Sequence, residues 1–374
     1  MAGIYIHIPF CKQACHYCDF HFSTSLKHKD RMLTAILAEL QMRKHEINES
    51  VETIYFGGGT PSLLSVSEIN TIVDHVYDLF EVAPNPEITL EANPDDLTSE
   101  KIIALSQTKI NRLSIGVQSI FDEDLKLMNR AHTATESIKS LKTAIQYFKN
   151  ISVDLIYGIP NMSLQNWDQN IQFMIDLEIP HISCYALTVE PKTALDKLIK
   201  KGTIDPTDDK QAHQHFLHLI DKLKNNGYEH YEMSNFSKAN FHSKNNSAYW
   251  LGKKYLGIGP SAHSYDGKNR SWNISNNLIY INKIEANQPA FEIEQLTKND
   301  RYNEYIMTGL RTIWGVDLLI IEQNFGPNYK NYLLNEAQPF VEKKQLEIEN
   351  NILKTTRDGK FFSDGISASL FKVD

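Results

Sequence analysis

Residues 4–22 read IYIHIPFCKQACHYCDFHF, an apolar strand that empties into a loop carrying three of the chain's four cysteines. Their spacing is Cys11-x3-Cys15-x2-Cys18, with no fourth cysteine nearby. Thiolates hold iron–sulfur clusters, usually four to a cluster, so three on one loop would ligate three irons of a cubane and leave one iron open. A structural zinc site would use the same cysteines with His7, His16 or His21, although such sites normally present their ligands as two paired knuckles. A disulfide would leave one cysteine of the three unpaired in a chain that does not read as secreted. Cys184, in the apolar run HISCYAL, reads as a small core residue.

The same arrangement, a short apolar strand followed by a chemically loaded loop, recurs along the chain. The strands read as Ile4–Ile8, Thr53–Phe56, Glu87–Glu91, Arg112–Val117, Ser152–Tyr157 and Ile182–Leu187. Amphipathic helices fill the gaps, among them Asp30–Glu46, Val66–Leu79, Thr135–Phe148 and Asp208–Asn226. Alternation of this kind is the pattern of a parallel sheet. The loops after the strands carry the cysteines, then Gly57-Gly58-Gly59-Thr60-Pro61, Glu91-Ala92-Asn93-Pro94, Gly116–Ser119, Asp154–Pro160 and Tyr185–Thr188. A parallel β/α barrel builds its active site from such loops on one rim, so the expected fold is α/β, an incomplete (β/α)6 TIM-like barrel with a single site. In that site bare glycine backbone lets a ligand approach closely, Glu91 suits ribose hydroxyls, and Arg130 is the fixed cation suited to a ligand carboxylate.

Composition narrows the class. The chain has 374 residues, 41% hydrophobic and 22% charged, with a net charge of -8, which suits a globular protein of two or three domains. No basic stripe offers a surface to nucleic acid, and KLIKKG at 197–202 reads as a solvated helix end. No apolar run approaches the roughly 20 residues of a membrane span, and Met1 leads directly into a strand, so a cytoplasmic location is expected.

The motifs HIPFCKQACHYCDF, YFGGGTPS, LEANP, GVQS, VDLIYGIP and YEMSNF through LGIGPSAHS together resemble the radical S-adenosylmethionine (SAM) superfamily, within its oxygen-independent coproporphyrinogen III oxidase-like group. The CxxxCxxC loop with GGGTP at the next strand displaces the zinc reading. The resemblance implies a 4Fe-4S cluster on Cys11, Cys15 and Cys18, with SAM chelating the open iron. It places Tyr5 and Tyr17 near the cluster and SAM, Gly58, Gly59 and Thr60 at the methionine end, and Glu91 at the ribose. Gln118, Arg130 and Asp154 complete the cofactor pocket, and reductive cleavage of SAM follows.

Within the group, the resembled decarboxylases carry a fourth cysteine two residues after the third and a long N-terminal extension. Here Asp19-Phe20 follows Cys18, and ten residues precede Cys11. Both features point to the HemW-type branch of haem chaperones, with coproporphyrinogen III oxidation by radical decarboxylation as the alternative. That branch carries a His-Asn-x-x-Tyr-Trp motif, and this chain reads Asn245-Asn246-Ser247-Ala248-Tyr249-Trp250 at the matching place. Asparagine cannot replace an axial imidazole, which leaves His242 and His263 as substitute haem ligands. The partners so implied are haem or a porphyrin, a haem acceptor protein that is membrane-associated or soluble, and an electron donor such as flavodoxin or ferredoxin.

The expected division is a barrel over 1–235, a connecting segment over 236–290 holding NNSAYW and GIGPSAHS, and a smaller, mostly helical winged-helix-like domain over 291–374. In the last part Asp300–Gly309 and Pro327–Lys344 read as helices, and Ile352–Thr355 with Gly359–Phe362 as a hairpin.

Overall fold

The structure is a computed structural model that describes residues 2–373. Its strands, in chain order, are β1 (Ala2–Ile8), β2 (Val51–Gly58), β3 (Val82–Ala92), β4 (Arg112–Gln118), β5 (Asn150–Tyr157), β6 (His181–Ala186), β7 (Glu229–Glu232) and β8 (Asn235–Ser237). They continue with β9 (Lys254–Ile258), β10 (His263–Tyr265), β11 (Asn269–Asn273), β12 (Phe291–Gln295), β13 (Val316–Asp317), β14 (Leu346–Glu349) and β15 (Ile352–Thr355).

β1 to β6 pair in sequence, all parallel. The curved sheet does not close. It runs β12-β11-β10-β9-β1-β2-β3-β4-β5-β6-β8-β7, so the six expected strands form its centre and two extensions flank them. β9 adds a further parallel strand on the outer side of β1, with Tyr5 opposite Gly257, while β8 and β7 run antiparallel beyond β6. The result is an incomplete barrel of β/α type, as expected.

Period-two alternation sorts each strand's side chains to two faces. The outer face is apolar: Ile4, Ile6 and Ile8 of β1, Ile54 and Phe56 of β2, and Leu113, Ile115 and Val117 of β4 are all buried against the helical layer. Helix Val66–Leu79 shows why this works. A Ser65–Glu68 capping box starts it, and its buried residues Ile69, Ile72, Val73 and Val76 recur at helical spacing. The inner face is polar throughout. Tyr5, Tyr55 and Thr89 stand in register across β1, β2 and β3, and Glu91, Ser114, Ser152 and His181 across β3 to β6.

A second apolar cluster, from Tyr302 to Leu370, is separate from the first, which ends at Ala290. It is built by helices Lys298–Leu310, Leu318–Phe325 and Pro327–Glu342 around the small sheet β13-β15-β14. Here the expected hairpin is corrected. β15 pairs with β14, not with residues 359–362, and Gly359 falls in the short helix Arg357–Lys360. The turn is Asn350-Asn351, with φ of 51° and 64°, the pair of left-handed residues that a primed two-residue hairpin requires. This module seats on the barrel through a two-pronged Arg357–Asp221 pair at 3.0 and 2.7 Å, Phe361 against His213 at 4.7 Å, and Ile313 N–H donating to the Tyr231 carbonyl at 3.0 Å. Among the described residues no helix is long and apolar enough to cross a membrane.

Candidate functional site

The C-terminal ends of the parallel strands surround a cavity of about 670 Å³. All three cysteines of the first loop line it, together with Tyr17, Gly58, Gly59, Thr60, Glu91, Gln118, Arg130 and Asp154. Arg311, Phe361 and Asp364 of the C-terminal module close part of its mouth.

The cysteine loop has no helix or strand of its own, so other loops fix it. Cys11 N–H donates to Ser23 carbonyl at 3.0 Å, Thr60 N–H to Phe10 carbonyl at 2.7 Å, and His16 N–H to Met128 carbonyl at 3.0 Å. Asn129 Nδ2 donates to Ala14 carbonyl at 2.8 Å, and Asn129 Oδ1 accepts from Gln13 Nε2 at 2.8 Å. Glycine is required where β2 meets this loop. Gly58 has φ of +105°, and a Cβ on it would lie 2.6 Å from the His7 ring; one on Gly59 would lie 2.6 Å from the Phe10 carbonyl oxygen. The glycines therefore serve the crossing of the cysteine loop as well as any ligand.

Donors are aimed at the sulfurs. Thr60 Oγ1 donates to Cys11 Sγ at 3.5 Å, and Arg130 Nη1 to Cys15 Sγ at 3.4 Å. Burial pushes the Cys18 thiol up to about 11 and raises that of Cys11, so both are neutral as free thiols at ordinary pH. A bound cationic centre reverses this, because a coordinating thiol is deprotonated. Cys18 accepts from the Phe20 N–H, and three sulfurs each supplied with a hydrogen-bond donor form a set suited to metal-bound thiolate. Arg130 also donates to Asn93 Oδ1 at 2.7 Å and Gly116 carbonyl at 3.0 Å. It braces the cysteine loop against the ends of β3 and β4, and its buried Nε has no partner.

Two carboxylates face the cavity from β3 and β5. Glu91 accepts from Tyr55 Oη at 2.7 Å. Burial, reinforced by the charge of Asp154, pushes Glu91 up to about 7 against that hydrogen bond. Burial likewise pushes Asp154 up to about 6, opposed by Ser183, Arg112 and Arg130. Gln118 sits at a bulge of β4 with φ of 67°. Tyr5 donates to His7 Nδ1 at 3.3 Å and stacks on Tyr55 at 6.0 Å.

Beneath the cavity the barrel interior holds a polar chamber of about 180 Å³, lined in part by Tyr5, Arg112, Ser152, His181, Asn245 and Tyr249. To its side a groove of about 400 Å³ runs between His7, His21, Tyr255 and His263. Of the six residues read from the haem-chaperone motif and its surroundings, Asn245, Asn246 and Tyr249 line the chamber together and Tyr249 and His263 share the side groove, whereas His242 and Trp250 line neither. Asn245 is 6% exposed on the first turn of helix Lys244–Trp250; its N–H donates to Glu87 at 3.1 Å and its Oδ1 accepts from Thr53 at 3.0 Å. Asn246 Nδ2 reaches Tyr231 Oη at 3.5 Å, and Tyr249 packs edge-on against Tyr255 at 4.4 Å. Trp250 lies under the Arg311 guanidinium at 5.2 Å, at the seam with the C-terminal module. His242 stacks on Tyr231 at 4.2 Å and binds Glu229 at 2.8 Å, whereas His263 lies in the side groove.

Several pocket residues escaped the sequence reading: Tyr55, Arg112 and Ser114. The signal for them is present. Over residues 53–57, 87–91, 112–118, 150–154 and 181–185 every second residue is polar or glycine, while the residues between them are apolar. A parallel barrel core is normally filled by branched apolar side chains, so a polar inner face marks a lumen that is lined for ligand or water.

Comparison with known proteins agrees with this geometry. Residues 5–174 match the radical SAM superfamily and residues 296–362 the HemN C-terminal domain. The chain is 32% identical over 371 residues to "Heme chaperone HemW" of Bacillus subtilis, covering 98% of each chain. It is 34% identical over 325 residues to the protein of that name in Mycobacterium tuberculosis, covering 84% of this chain and 83% of that one. A mitochondrial radical S-adenosyl methionine domain-containing protein 1 from Mus musculus is 33% identical over 70% of this chain and 60% of its own. In fold the chain is similar to coproporphyrinogen III oxidase (HemN) from Escherichia coli, with a TM-score of 0.86 at 22% identity, over 99% of this chain and 90% of that one.

Proposed function

Because the chain belongs to the HemW family within the radical SAM superfamily, we propose that it is a haem chaperone holding a 4Fe-4S cluster and SAM in the rim cavity. The observation that carries the cofactor part is the placement of Cys11, Cys15 and Cys18 on the wall of one cavity with Glu91, Gln118, Arg130 and Asp154. The three cysteines would hold the cluster, whose chemistry when bound is reductive cleavage of SAM to methionine and a 5'-deoxyadenosyl radical.

The chain's own residues then have separable tasks. Thr60 and Arg130 stabilise thiolate at Cys11 and Cys15 through the hydrogen bonds they already donate. Gly58 and Gly59 leave main chain bare for the methionine end of SAM, and Tyr17 walls the pocket, with Tyr5 in the chamber beneath it. Glu91 accepts from the ribose hydroxyls, as acidic residues do in nucleotide sites. Phe361 and the Arg311–Asp364 pair, at the mouth, restrict water. The haem reading is supported by the family relationship over nearly the full chain. Asn245, buried and hydrogen-bonded inside the barrel, gives haem no ligand; His242 and His263 are the imidazoles available to it. The protein works in the cytoplasm, where thiols stay reduced, with a haem acceptor and an electron donor as partners.

Two measurements test this. Anaerobically reconstituted protein is expected to carry about four irons per chain and to cleave SAM under reduction, both lost in Cys15→Ser. Incubation with coproporphyrinogen III and SAM is expected to leave the substrate unchanged. Protoporphyrinogen formation would overturn the chaperone reading in favour of the oxidase.

A further inference from the structure

Arg112, near the start of β4, is 2% exposed, and its Nε has no hydrogen-bond partner. Among the described residues no carboxylate forms an ion pair with it. Its strand neighbours in register are Thr89 and Asn150, whose buried side-chain oxygens are also without partners. The guanidinium faces the polar chamber inside the barrel, and the same chamber is walled by Glu91 and Asp154, the two carboxylates that also face the rim cavity. Guanidinium does not deprotonate in proteins. A permanent charge has thus been buried at a cost of several kcal/mol, with its Nε unpartnered and no carboxylate paired to it among the described residues.

The other groups facing Glu91 are phenols from four elements, Tyr5, Tyr55, Tyr185 and Tyr249, together with Asp154 and the imidazole of His181, which burial and the charge of Arg112 lower. His7 and His263 look across from the side groove. Burial raises all four phenols and lowers both imidazoles, so these side chains stay neutral near pH 7. Asp154 repels Glu91. That leaves Arg112 as the positive charge acting on Glu91, and Arg112 with Arg130 as those acting on Asp154.

We propose that Arg112 is a positioning residue for the cofactor pocket, holding Glu91 and Asp154 across the chamber in the charged form that accepts hydrogen bonds from the nucleoside. The proposal rests on the assignment of Glu91 to the SAM ribose. A carboxylate accepts charge-assisted hydrogen bonds roughly twice as strong as neutral ones, so the state of Glu91 sets the affinity.

The experiment measures SAM affinity by equilibrium dialysis across the neutral pH range, on the cluster-reconstituted full chain and on Arg112→Gln, Arg112→Lys and Glu91→Gln. Wild-type affinity is expected to rise with pH and then level off. In Arg112→Gln the inflection moves up by about one unit, the size of a lost opposite charge, and the affinities converge at high pH; Arg112→Lys restores most of the wild-type profile. An Arg112→Gln profile with an unmoved inflection, or one lowered by the same factor at every pH, overturns the proposal, since the latter is what a merely structural role produces. If Arg112→Gln fails to fold by circular dichroism, Glu91→Gln decides: with Asp154 alone left to titrate, its inflection is expected below that of wild type, and an inflection that stays at the wild-type pH overturns the proposal. Wild type that binds no SAM at any pH removes the pocket assignment itself, whereas wild type that binds with a flat profile removes only the role of Arg112.

Discussion

Substituting Glu39 by alanine tests how the segment carrying GIGPSAHS is held against the barrel. Glu39, 1% exposed on helix Lys29–Arg43, accepts four hydrogen bonds. They come from Arg43 Nη1 at 3.0 Å, Asn273 Nδ2 at 2.7 Å, Gly259 N–H at 2.8 Å and Tyr280 Oη at 2.5 Å. The losses are unequal. Arg43 keeps Glu46, at 2.8 Å to each of its two oxygens, and Gly257 carbonyl at 2.9 Å, and Asn273 keeps Gly259 carbonyl at 2.7 Å. The Gly259 N–H and the Tyr280 hydroxyl lose the acceptor that Glu39 gives them, and each stranded buried donor costs about 1–3 kcal/mol. With the small cavity left by truncation, the total is about 3–5 kcal/mol, or a melting midpoint lower by roughly 4–6 °C. Thermal unfolding followed by circular dichroism measures this, with Arg31→Ala as control, because the Arg31–Glu285 pair is solvent-exposed and should contribute little. Glu39→Gln, which keeps one acceptor oxygen, should fall between wild type and Glu39→Ala. A Glu39→Ala protein as stable as the Arg31→Ala control would refute the latch.

Gly58→Ala should lower SAM affinity and cluster loading together, since the new Cβ collides with the His7 ring at a positive φ; full iron content in this variant would argue against it. Glu91 and Asp154 also make the apoprotein's stability fall with pH. Their folded values, about 7 and about 6, lie above the ordinary carboxylate range, so the neutral forms favoured by folding are fully present at low pH, and that stability is lost as pH rises through these values. For half-buried Glu91, with some access to the cavity, this amounts to about 1–2 kcal/mol, and melting curves of Glu91→Gln should show a shallower decline between pH 5 and about 7 than wild type. Asn245→His should destabilise the fold, because the imidazole must replace an amide that accepts from Thr53 in a closed chamber; an unchanged melting midpoint would mean that the chamber opens to admit the larger ring.

The sequence showed the strands of the barrel centre and their loaded ends because each is a local signal: a short β-branched run, then glycine, cysteine or carboxylate. Helix Val66–Leu79 was legible to the residue, since Ser65 and Glu68 cap it. What escaped depends on distant pairing. β9 reads KYLGI, too short and too glycine-containing to stand out, and becomes a strand only because β1 offers an unpaired edge. The Asn350-Asn351 turn was a local signal that was passed over, which misplaced one arm of the hairpin. The polar lumen was also readable, as a polar residue or glycine at every second position over residues 53–57, 87–91, 112–118, 150–154 and 181–185, but treating those strands as uniformly apolar hid Arg112 and Tyr55. The fate of Asn245 was not readable, for nothing local says that the first turn of its helix plugs the barrel.

The most direct test of the account is an anaerobic haem titration of the cluster-reconstituted chain, followed by the haem absorption band. The account predicts saturable binding of one haem per chain, with the band altered by substitution of His242 or His263 and unaffected by the identity of residue 245. Absence of stoichiometric haem binding by a protein that carries its cluster and cleaves SAM would contradict it.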